Sequence, residues 1–413
     1  MSNLSAEAVR LDTADPLAPV RDRFVLPDGV VYLDGNSLGA LPVGVAERLE
    51  RAVRAEWGAH LIRAWETDEW WCYPTRVGDR IGRLIGAAPG QTIVGESTSV
   101  QFFNALVAAA RLRPGRDVIV SDATHFPTDR YLVASAARLL GLRVVETRPN
   151  ELAEAVSRFG ASIAVVALGA VDFRTGELWD LGELTRTAHA VDAIALWDLC
   201  HAVGALPLRV DADAVDLAVG CTYKYLCGGP GAPAFLYVAQ RHQPDFDQPL
   251  TGWLGHIAPF DLDPVYRPAA GMDRARIGTP HMLSLIALDA ALDVFDTVDL
   301  SAVRDKSLAL SAFFLRCVSD YLDTGILRLT TPGSDARRGN QLTLRHPQAY
   351  PIVTALIERG VIGDMRAPDI MRFGFNGLYL SFAEVRLAAA TLREVIESRS
   401  YLDPRFRTRR FIT

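Results

Sequence analysis

The segment from Asp216 to Pro233, DLAVGCTYKYLCGGPGAP, contains the strongest signal in the chain. Its apolar run, Leu217 to Cys221, has the length of a buried strand and is bounded by polar residues. The strand leads to Lys224 and then to a glycine-rich loop, a composition that indicates unusual backbone conformations or close contact with another group. A lysine beside apolar residues is costly to bury as a cation, which favours its free, nucleophilic amine.

A second strand-like segment, Ile194 to Trp197, ends on an acid. Asp198 follows directly, His201 comes three residues later, and Lys224 lies 26 residues beyond Asp198. A carboxylate and a lysine in this arrangement fit an enzyme that uses pyridoxal phosphate. The lysine binds the cofactor's aldehyde covalently, and the carboxylate keeps the pyridine nitrogen protonated so that the ring can accept electrons.

The stretches WDLCHAVGA, residues 197–205, and CTYKYLCGGPG, residues 221–231, resemble the kynureninase family of fold type I pyridoxal phosphate enzymes. The resemblance extends from about residue 30 to residue 397. It implies an α/β fold with a large, mostly parallel sheet domain and a small C-terminal α+β domain. It also implies hydrolysis of the Cβ–Cγ bond of L-kynurenine or 3-hydroxykynurenine to an anthranilate and L-alanine, a step of tryptophan catabolism.

Alternation of strands and helices supports this fold independently of the resemblance. The predicted strands are 117–121, 142–146, 162–168 and 194–197, and the predicted helices between them are 128–141, 151–159 and 182–192. Such alternation is typical of a mostly parallel sheet with helices on both faces and ligands at the carboxyl ends of the strands. We expect an N-terminal arm and helix contributing to the small domain (1–58), a large cofactor-binding domain (59–298) and the small domain (299–413).

The family resemblance also assigns residues to the cofactor. Thr98 and Ser99 would bind its phosphate at the start of a helix, where backbone N–H groups are free. Phe126 would stack on its ring, and Trp253 and Thr279 would reach the cofactor of a neighbouring subunit, which requires a homodimer. The full set of expected cofactor contacts is Thr98, Ser99, Phe126, Pro127, Thr128, Asp129, Asp172, Asp198, His201, Tyr223, Lys224, Trp253 and Thr279.

Catalytic and substrate-binding roles follow from the same resemblance. Lys224 would remove the α-proton, Asp198 would support the ring nitrogen, and Tyr223 would transfer a proton at the β-carbon or carbonyl. Arg372, in MRFGFN, would hold the substrate's α-carboxylate with its planar guanidinium. Asn36, in GNSLG, and Trp65 would contact the substrate, an amino acid with an aryl ketone side chain.

Four positions depart from the family pattern, and they leave the substrate open. Gly169 replaces a threonine or serine, Asp172 an asparagine or histidine, Cys227 an asparagine and His281 a proline. A kynurenine with a modified ring is therefore a second candidate substrate. A cysteine desulfurase-like enzyme, which needs a mobile reactive cysteine, and a cofactor-binding protein without catalysis also remain open.

Composition restricts the remaining classes of function. The net charge of −6 argues against a nucleic-acid or membrane-surface partner. No apolar run is long enough to span a membrane and no signal-like segment is evident, so we expect a cytoplasmic protein. The five cysteines form no CxxC pair or His–Cys cluster, which predicts neither a disulfide framework nor a metal site.

Overall fold

A computed structural model describes residues 2–408, so residues 409–413 of the predicted small domain lie outside the described part of the chain. The strands are β1 Phe24–Val25, β2 Val31–Tyr32, β3 Leu41–Pro42, β4 Thr92–Val94, β5 Val118–Asp122, β6 Arg143–Thr147, β7 Ile163–Gly169, β8 Ile194–Asp198, β9 Leu217–Gly220, β10 Phe235–Val238, β11 Arg328–Leu329, β12 Gln341–Arg345, β13 Val361–Ile362, β14 Asp364–Arg366 and β15 Ile370–Gly374. The α-helices are α1 Ser2–Thr13, α2 Gly44–Arg51, α3 Ala64–Thr67, α4 Tyr73–Ile85, α5 Thr98–Arg111, α6 Pro127–Leu140, α7 Leu152–Phe159, α8 Leu181–His189, α9 Met282–Leu292, α10 Leu300–Cys317, α11 Ser319–Asp323, α12 Ala349–Glu358 and α13 Phe382–Glu397.

The large sheet has seven strands in the order β4-β10-β9-β8-β7-β5-β6. The five strands from β5 to β9 are mutually parallel, and β10 runs antiparallel to both β9 and β4. This arrangement confirms the predicted α/β fold with a mostly parallel sheet. The alternating pattern does not predict β4 and β10, because both are short and pair antiparallel at one end of the sheet instead of alternating with helices.

Alternate residues of the sheet pack into two different cores. In β8, Ile194 and Leu196 contact the cluster that includes α5, whereas Ala195 and Trp197 contact the cluster on the opposite face. Because successive side chains of a strand point to opposite faces, a strand covered on both sides must be apolar throughout. All seven residues of β7 are buried, as this constraint requires.

The C-terminal part of the chain forms a separate antiparallel sheet in the order β11-β12-β15-β14. The helices α10, α12 and α13 pack with it, which gives the predicted α+β arrangement. Val318 separates α10 from the short helix α11. Within residues 2–408, no helix is long and apolar enough to cross a membrane.

The N-terminal residues correct one prediction. Residues 1–28 have little periodicity, which predicts an irregular arm, but Ser2–Thr13 is helical and packs against α13. The Asp12 carboxylate accepts hydrogen bonds from the backbone N–H groups of Phe382 and Ala383 at the start of α13. The helix is therefore held by tertiary contacts rather than by an apolar stripe that its sequence would reveal.

One buried carboxylate joins several elements at the amino ends of β8 and β9. Asp216 accepts hydrogen bonds from the Ala195 N–H at 2.8 Å, from Arg241 at 2.7 Å and from the Nε2 atoms of His189 and His242 at 2.8 and 2.7 Å. Burial alone would raise the pKa of Asp216, but the hydrogen bonds from the two histidines and Ala195 lower it well below its usual value. The carboxylate therefore stabilises the folded state as an anion.

We expect Asp216→Asn to lower the free energy of unfolding by about 3 kcal/mol at pH 7, since it leaves buried donors without their anionic partner. The folded pKa lies below the unfolded value of about 3.9, so the stabilisation is complete above about pH 4 and is lost as the pH falls through the folded value. Urea unfolding should therefore show a larger difference in the free energy of unfolding between the variant and the wild type at pH 7 than at pH 3.5.

A matched control is Asp192→Asn, because that exposed carboxylate pairs with Arg113 and Arg116 at the surface. Its loss should cost less than about 1 kcal/mol. Equal effects of the two substitutions would contradict the assigned role of Asp216.

Candidate active site

The carboxyl ends of β5, β7, β8 and β9 meet at one edge of the large sheet, and a cavity of about 250 Å³ opens there. Each of these strands is followed by a loop that supplies polar side chains to the cavity wall. The lining residues are Thr98, Ser99, Asp122, Thr124, His125, Phe126, Thr128, Asp129, Gly169, Val171, Asp172, Phe173, Asp198, Cys200, His201, Tyr223 and Lys224. Most of the predicted cofactor contacts are among them, whereas Pro127, Trp253 and Thr279 are not.

Lys224 and His201 form the basic centre of the cavity. The Nζ atom of Lys224 lies 3.0 Å from Nε2 of His201. Burial, followed by the charges of Lys224 and nearby arginines, lowers the pKa of His201 well below its usual value. His201 is therefore neutral, and its Nε2 accepts a hydrogen bond from the lysine, which fixes the direction of the amine.

Carboxylates converge at a second point of the cavity wall. Oδ1 of Asp198, at the end of β8, accepts a hydrogen bond of 2.7 Å from the Cys200 N–H, which orients the side chain. Asp129, in the first turn of α6, lies 3.1 Å from Nδ1 of His125. One atom each of His125, Asp129 and Asp198 lies within 4.8 Å of the others. The cavity therefore holds acceptors for a cationic N–H group at this point.

The first turn of α5 forms another part of the wall. Ser97 caps this helix, since its hydroxyl accepts a hydrogen bond from the Val100 N–H at 3.4 Å. Thr98 and Ser99 are the first two residues of the helix, where backbone N–H groups have no partner within the helix. Two hydroxyls beside a helix N-terminus can bind an anion such as a phosphate.

Phe126 supplies an aromatic surface next to these groups. It precedes α6, which begins at Pro127, and its ring packs edge-on against Phe173 with 5.1 Å between the ring centres. Pro127 sets the start of the helix, a position that tolerates its missing N–H. The exposed half of the Phe126 side chain is available to a planar ligand.

Two of the positions that depart from the family pattern lie in the cavity wall. Asp172 accepts hydrogen bonds from the N–H groups of Arg174 and Thr175 at 2.7 and 2.8 Å, so one carboxylate oxygen holds a turn. Gly169 ends β7, and a Cβ atom there would lie 3.7 Å from Cε1 of His125, at ordinary contact distance. A hydroxyl-bearing side chain at position 169, which the family pattern has and this chain lacks, would therefore lie next to the imidazole of His125.

Tyr223 borders the cavity next to Lys224, whose Nζ lies 5.9 Å from the centre of the tyrosine ring. Burial, followed by the charges of neighbouring thiols and Asp198, raises the pKa of Tyr223. The hydroxyl therefore keeps its proton and can donate it.

Arg372 and Asn36 lie behind the cavity wall rather than in it. Asp364 stands opposite Arg372 in the antiparallel pair β14–β15, and both of its oxygens bind the guanidinium. Nη1 of Arg372 also donates to the Phe173 carbonyl at 2.6 Å, and Nη2 donates to the Ser37 hydroxyl at 3.2 Å. Asn36 is buried beside Gly374 at the end of β15, and neither polar atom of its side chain has a hydrogen-bond partner among the described residues.

Trp65 belongs to an aromatic cluster outside the cavity. Its ring centre lies 5.9 Å from that of Trp70 and 6.4 Å from that of Trp71. Trp71 in turn contacts the exposed Trp253 at 6.4 Å. Thr279 is also exposed. Trp253 and Thr279 therefore lie at the surface of the chain, whereas Trp70 is buried in the core.

No sequence motif indicates a role for several cavity residues, among them Asp122, His125 and Phe173. Asp122 and His125 lie at the end of β5 and directly after it. The rule that ligands bind after parallel strands could have identified them, but they stand outside the FPTD motif, residues 126–129, on which the family resemblance rests in this segment.

A family model described as the kynureninase C-terminal domain matches residues 303–392. Kynureninase from Deinococcus radiodurans is 47% identical to the chain over 397 residues, which cover 95% of this chain and 96% of the relative. Kynureninase from Burkholderia pseudomallei is 44% identical over 415 residues, which cover 98% of this chain and 99% of the relative.

Solved structures of other enzymes share the fold at low sequence identity. An apo cysteine desulfurase from Thermococcus onnurineus matches with a TM-score of 0.79 and 17% identity, over 92% of this chain and 98% of that one. A variant of C-DES with glycine covalently linked to its PLP cofactor matches with a TM-score of 0.77 and 16% identity, over 90% and 98% of the two chains. These likenesses confirm a fold type I architecture, while the full-length similarity at 44–47% identity shows that the chain belongs to the kynureninase family.

Proposed function

We propose that the chain hydrolyses the Cβ–Cγ bond of L-kynurenine, or of a ring-substituted kynurenine, to an anthranilate and L-alanine. The observation that carries this proposal is the convergence of Lys224, Asp198 and the start of α5 on one cavity, in a chain of the kynureninase family. An amine, a carboxylate and an anion site are the three groups that pyridoxal phosphate needs. The cytoplasmic location of the protein and its division into the regions 1–58, 59–298 and 299–413 remain predictions.

The cavity residues fit the cofactor, and each has a proposed contact. Lys224 would bind the aldehyde, Asp198 would accept a hydrogen bond from the ring nitrogen, and Thr98 with Ser99 would bind the phosphate at the helix N-terminus. Phe126 would cover one face of the ring, and His201, Tyr223, Thr128, Asp129 and Asp172, which line the same cavity, would surround it. Pro127, which starts α6 outside the cavity wall, remains a proposed contact. When bound, the cofactor supplies an electron sink that withdraws negative charge from the amino acid's α-carbon.

The basic centre moves the protons of the reaction. Once the substrate's amine takes its place at the cofactor's aldehyde, Lys224 would be free to remove the proton of the substrate's α-carbon. The neutral His201, at 3.0 Å, would keep the freed amine in position. Tyr223, whose raised pKa keeps its hydroxyl protonated, delivers a proton at the substrate's β-carbon or carbonyl oxygen. A water molecule adds to the γ-carbonyl before the Cβ–Cγ bond breaks.

Arg372 is the proposed site for the substrate's α-carboxylate. Four of its five N–H donors already bind Asp364, Phe173 and Ser37, which leaves one on Nη1. The carboxylate would use this donor and compete with the 3.2 Å bond to Ser37. Asn36, whose amide lacks partners among the described residues, and Trp65 remain proposed substrate contacts.

A homodimer is the proposed assembly, and exposed apolar surface supports it. The residues Leu38, Leu41, Val45, Leu49, Val53 and Leu283 line a groove of about 590 Å³ that reaches the loop after Lys224. A second copy of the chain is the proposed occupant of this groove. The exposed Trp253 and Thr279 would then complete the partner's cofactor site.

The first test measures turnover of L-kynurenine and 3-hydroxykynurenine by the protein loaded with pyridoxal phosphate. We expect an anthranilate and alanine from at least one of them. Gly169 and Asp172, two of the departures from the family pattern, line the cavity and therefore bear on whether kynurenine or 3-hydroxykynurenine is preferred. His281, another departure, does not line it. Formation of neither product by fully loaded protein would contradict the proposal.

The lysine assignment has a matched control because the chain contains only two lysines, Lys224 and Lys306. We expect Lys224→Ala to abolish both turnover and the visible absorption band of the lysine-bound cofactor. Lys306 is buried in α10 and pairs with Asp15 at 2.7 Å, so Lys306→Arg should retain both. A visible band that persists in the Lys224 variant would assign the linkage elsewhere.

We expect Arg372→Lys to raise the KM for kynurenine roughly tenfold or more and to leave cofactor binding unchanged. Lysine keeps the charge beside Asp364 but loses the bidentate geometry, and a hydrogen bond to a charged group contributes about 1.5–3 kcal/mol. Arg345→Lys is the control, since Arg345 pairs with Asp369 outside the cavity. Unchanged steady-state kinetics in the Arg372 variant would place the carboxylate site elsewhere.

The dimer has its own test. We expect Leu41→Asp to raise the dimer dissociation constant about tenfold or more, because the new charge loses hydration in an apolar interface. Sedimentation velocity at several concentrations measures this change. Leu139→Asp, at an exposed leucine of α6 that does not line the groove, should leave the dissociation constant unchanged. Identical sedimentation of both variants and the wild type would argue against this interface.

A further inference from the structure

The cavity contains a buried histidine to which the proposed mechanism gives no role. His125 follows β5, and its side chain is almost fully buried. Nδ1 lies 3.1 Å from Asp129, and Nε2 is buried without a hydrogen-bond partner among the described residues. The ring packs edge-on against Phe102 of α5, at 5.9 Å between centres, and faces Gly169.

The surroundings of this imidazole are strongly acidic. Asp122 and Asp129 lie in its own loop and the helix that follows, Asp198 lies at the end of β8, and Asp172 lies after β7. The lysine that lines the same cavity, Lys224, is directed toward His201. Phe102 and Gly169 contribute no charge. Burial and the charge of Asp198 raise the pKa of Asp129, so Asp129 would take up a proton more readily if no cation lay beside it.

We propose that His125 carries a positive charge in the folded protein and acts as a positioning residue, pairing with Asp129 so that Asp198 beside it stays an ionised acceptor for the cofactor's ring nitrogen. This role rests on the proposed cofactor contact of Asp198. The geometry supports it, because His125, Asp129 and Asp198 each offer an atom within 4.8 Å of the others.

The titration behaviour of the pair agrees with this charge assignment. Burial alone would lower the pKa of His125, but the hydrogen bond to Asp129 and the charges of Asp129, Asp122 and Asp198 raise it to about 9. Burial and Asp198 raise the pKa of Asp129 to about 6, against the opposing effect of His125. Both groups are therefore ionised between about pH 6 and pH 9.

The test compares the thermal unfolding midpoints of the full chain and of His125→Asn between pH 6 and pH 9.5, with and without added pyridoxal phosphate. Asparagine keeps an N–H donor for Asp129 but carries no charge. The folded pKa lies above the usual value of about 6.5, so the stabilisation is complete below pH 6.5 and is lost as the pH rises through about 9. We expect a difference of several degrees at pH 6 that narrows toward pH 9.5.

A difference that is independent of pH would overturn the proposal, because a histidine that only packs in the wall has no charge to lose. His346→Asn is the control, since that histidine pairs with no carboxylate among the described residues and should not give this pH profile. If the His125 variant does not fold, NMR of the wild-type histidine Cε1 signals decides. One signal is expected to titrate near pH 9, and absence of any such signal overturns the proposal.

The dissociation constant for pyridoxal phosphate distinguishes a failure of this proposal from a failure of the proposed function. We expect His125→Asn to raise the dissociation constant for pyridoxal phosphate about tenfold at pH 7.5, and His125→Asn with Asp129→Asn to recover part of that loss. Failure of the wild type to bind the cofactor would contradict the proposed function but leave the unfolding test of the His125 charge valid. If His125→Asn leaves the dissociation constant for pyridoxal phosphate unchanged, the proposed effect of His125 on Asp198 is contradicted.

Discussion

The parallel alignment of β5, β7, β8 and β9 is the constraint on which the site depends. Parallel strands must all end at the same edge of a sheet, so the residues that follow them meet there although they are far apart in sequence. Asp198 ends β8, and Lys224 comes four residues after the end of β9, whose neighbour is β8. The apolar strands in turn require helices on both faces, and one of these, α5, brings its N-terminus to the same cavity.

Burial of this edge makes charge balance the second constraint. The cavity collects four carboxylates, at residues 122, 129, 172 and 198, but among its lining side chains only Lys224, His125 and His201 can carry a positive charge. The pKa values of the two histidines are shifted in opposite directions. Burial, followed by the charge of Lys224, lowers the pKa of His201 and keeps it neutral, whereas the acids around His125 raise its pKa in spite of burial. Identical side chains thus take different charges because of their neighbours, which suits a site that must hold both a cationic ring nitrogen and an anionic phosphate.

Sequence predicted the parallel sheet and most of the cavity, because both depend on local patterns. The runs that became β7 and β8 are continuously apolar, and their ends carry the motif residues. It failed where contacts between distant segments decide the structure. The helix Ser2–Thr13 is held by α13, and Arg372 is paired with Asp364 because β14, which no sequence pattern indicated, lies beside β15. His125 could not be identified as charged from sequence, since its proton depends on acids from separate segments of the chain.

The loop that carries Lys224 is fixed by a segment from a distant, N-terminal part of the chain. The N–H group of Gly39 donates to the Tyr223 carbonyl at 2.8 Å. A Cβ atom at Gly39 would overlap the carbonyl of Lys224 and approach Cys227, so only glycine allows this close contact. Cys227 has a φ of +57°, a conformation that asparagine, the family residue, adopts more readily than cysteine. The conformation persists because Gly39 and the turn bond from Cys227 to Lys224 hold it, so the GNSLG segment, residues 35–39, contributes to the site by positioning the lysine.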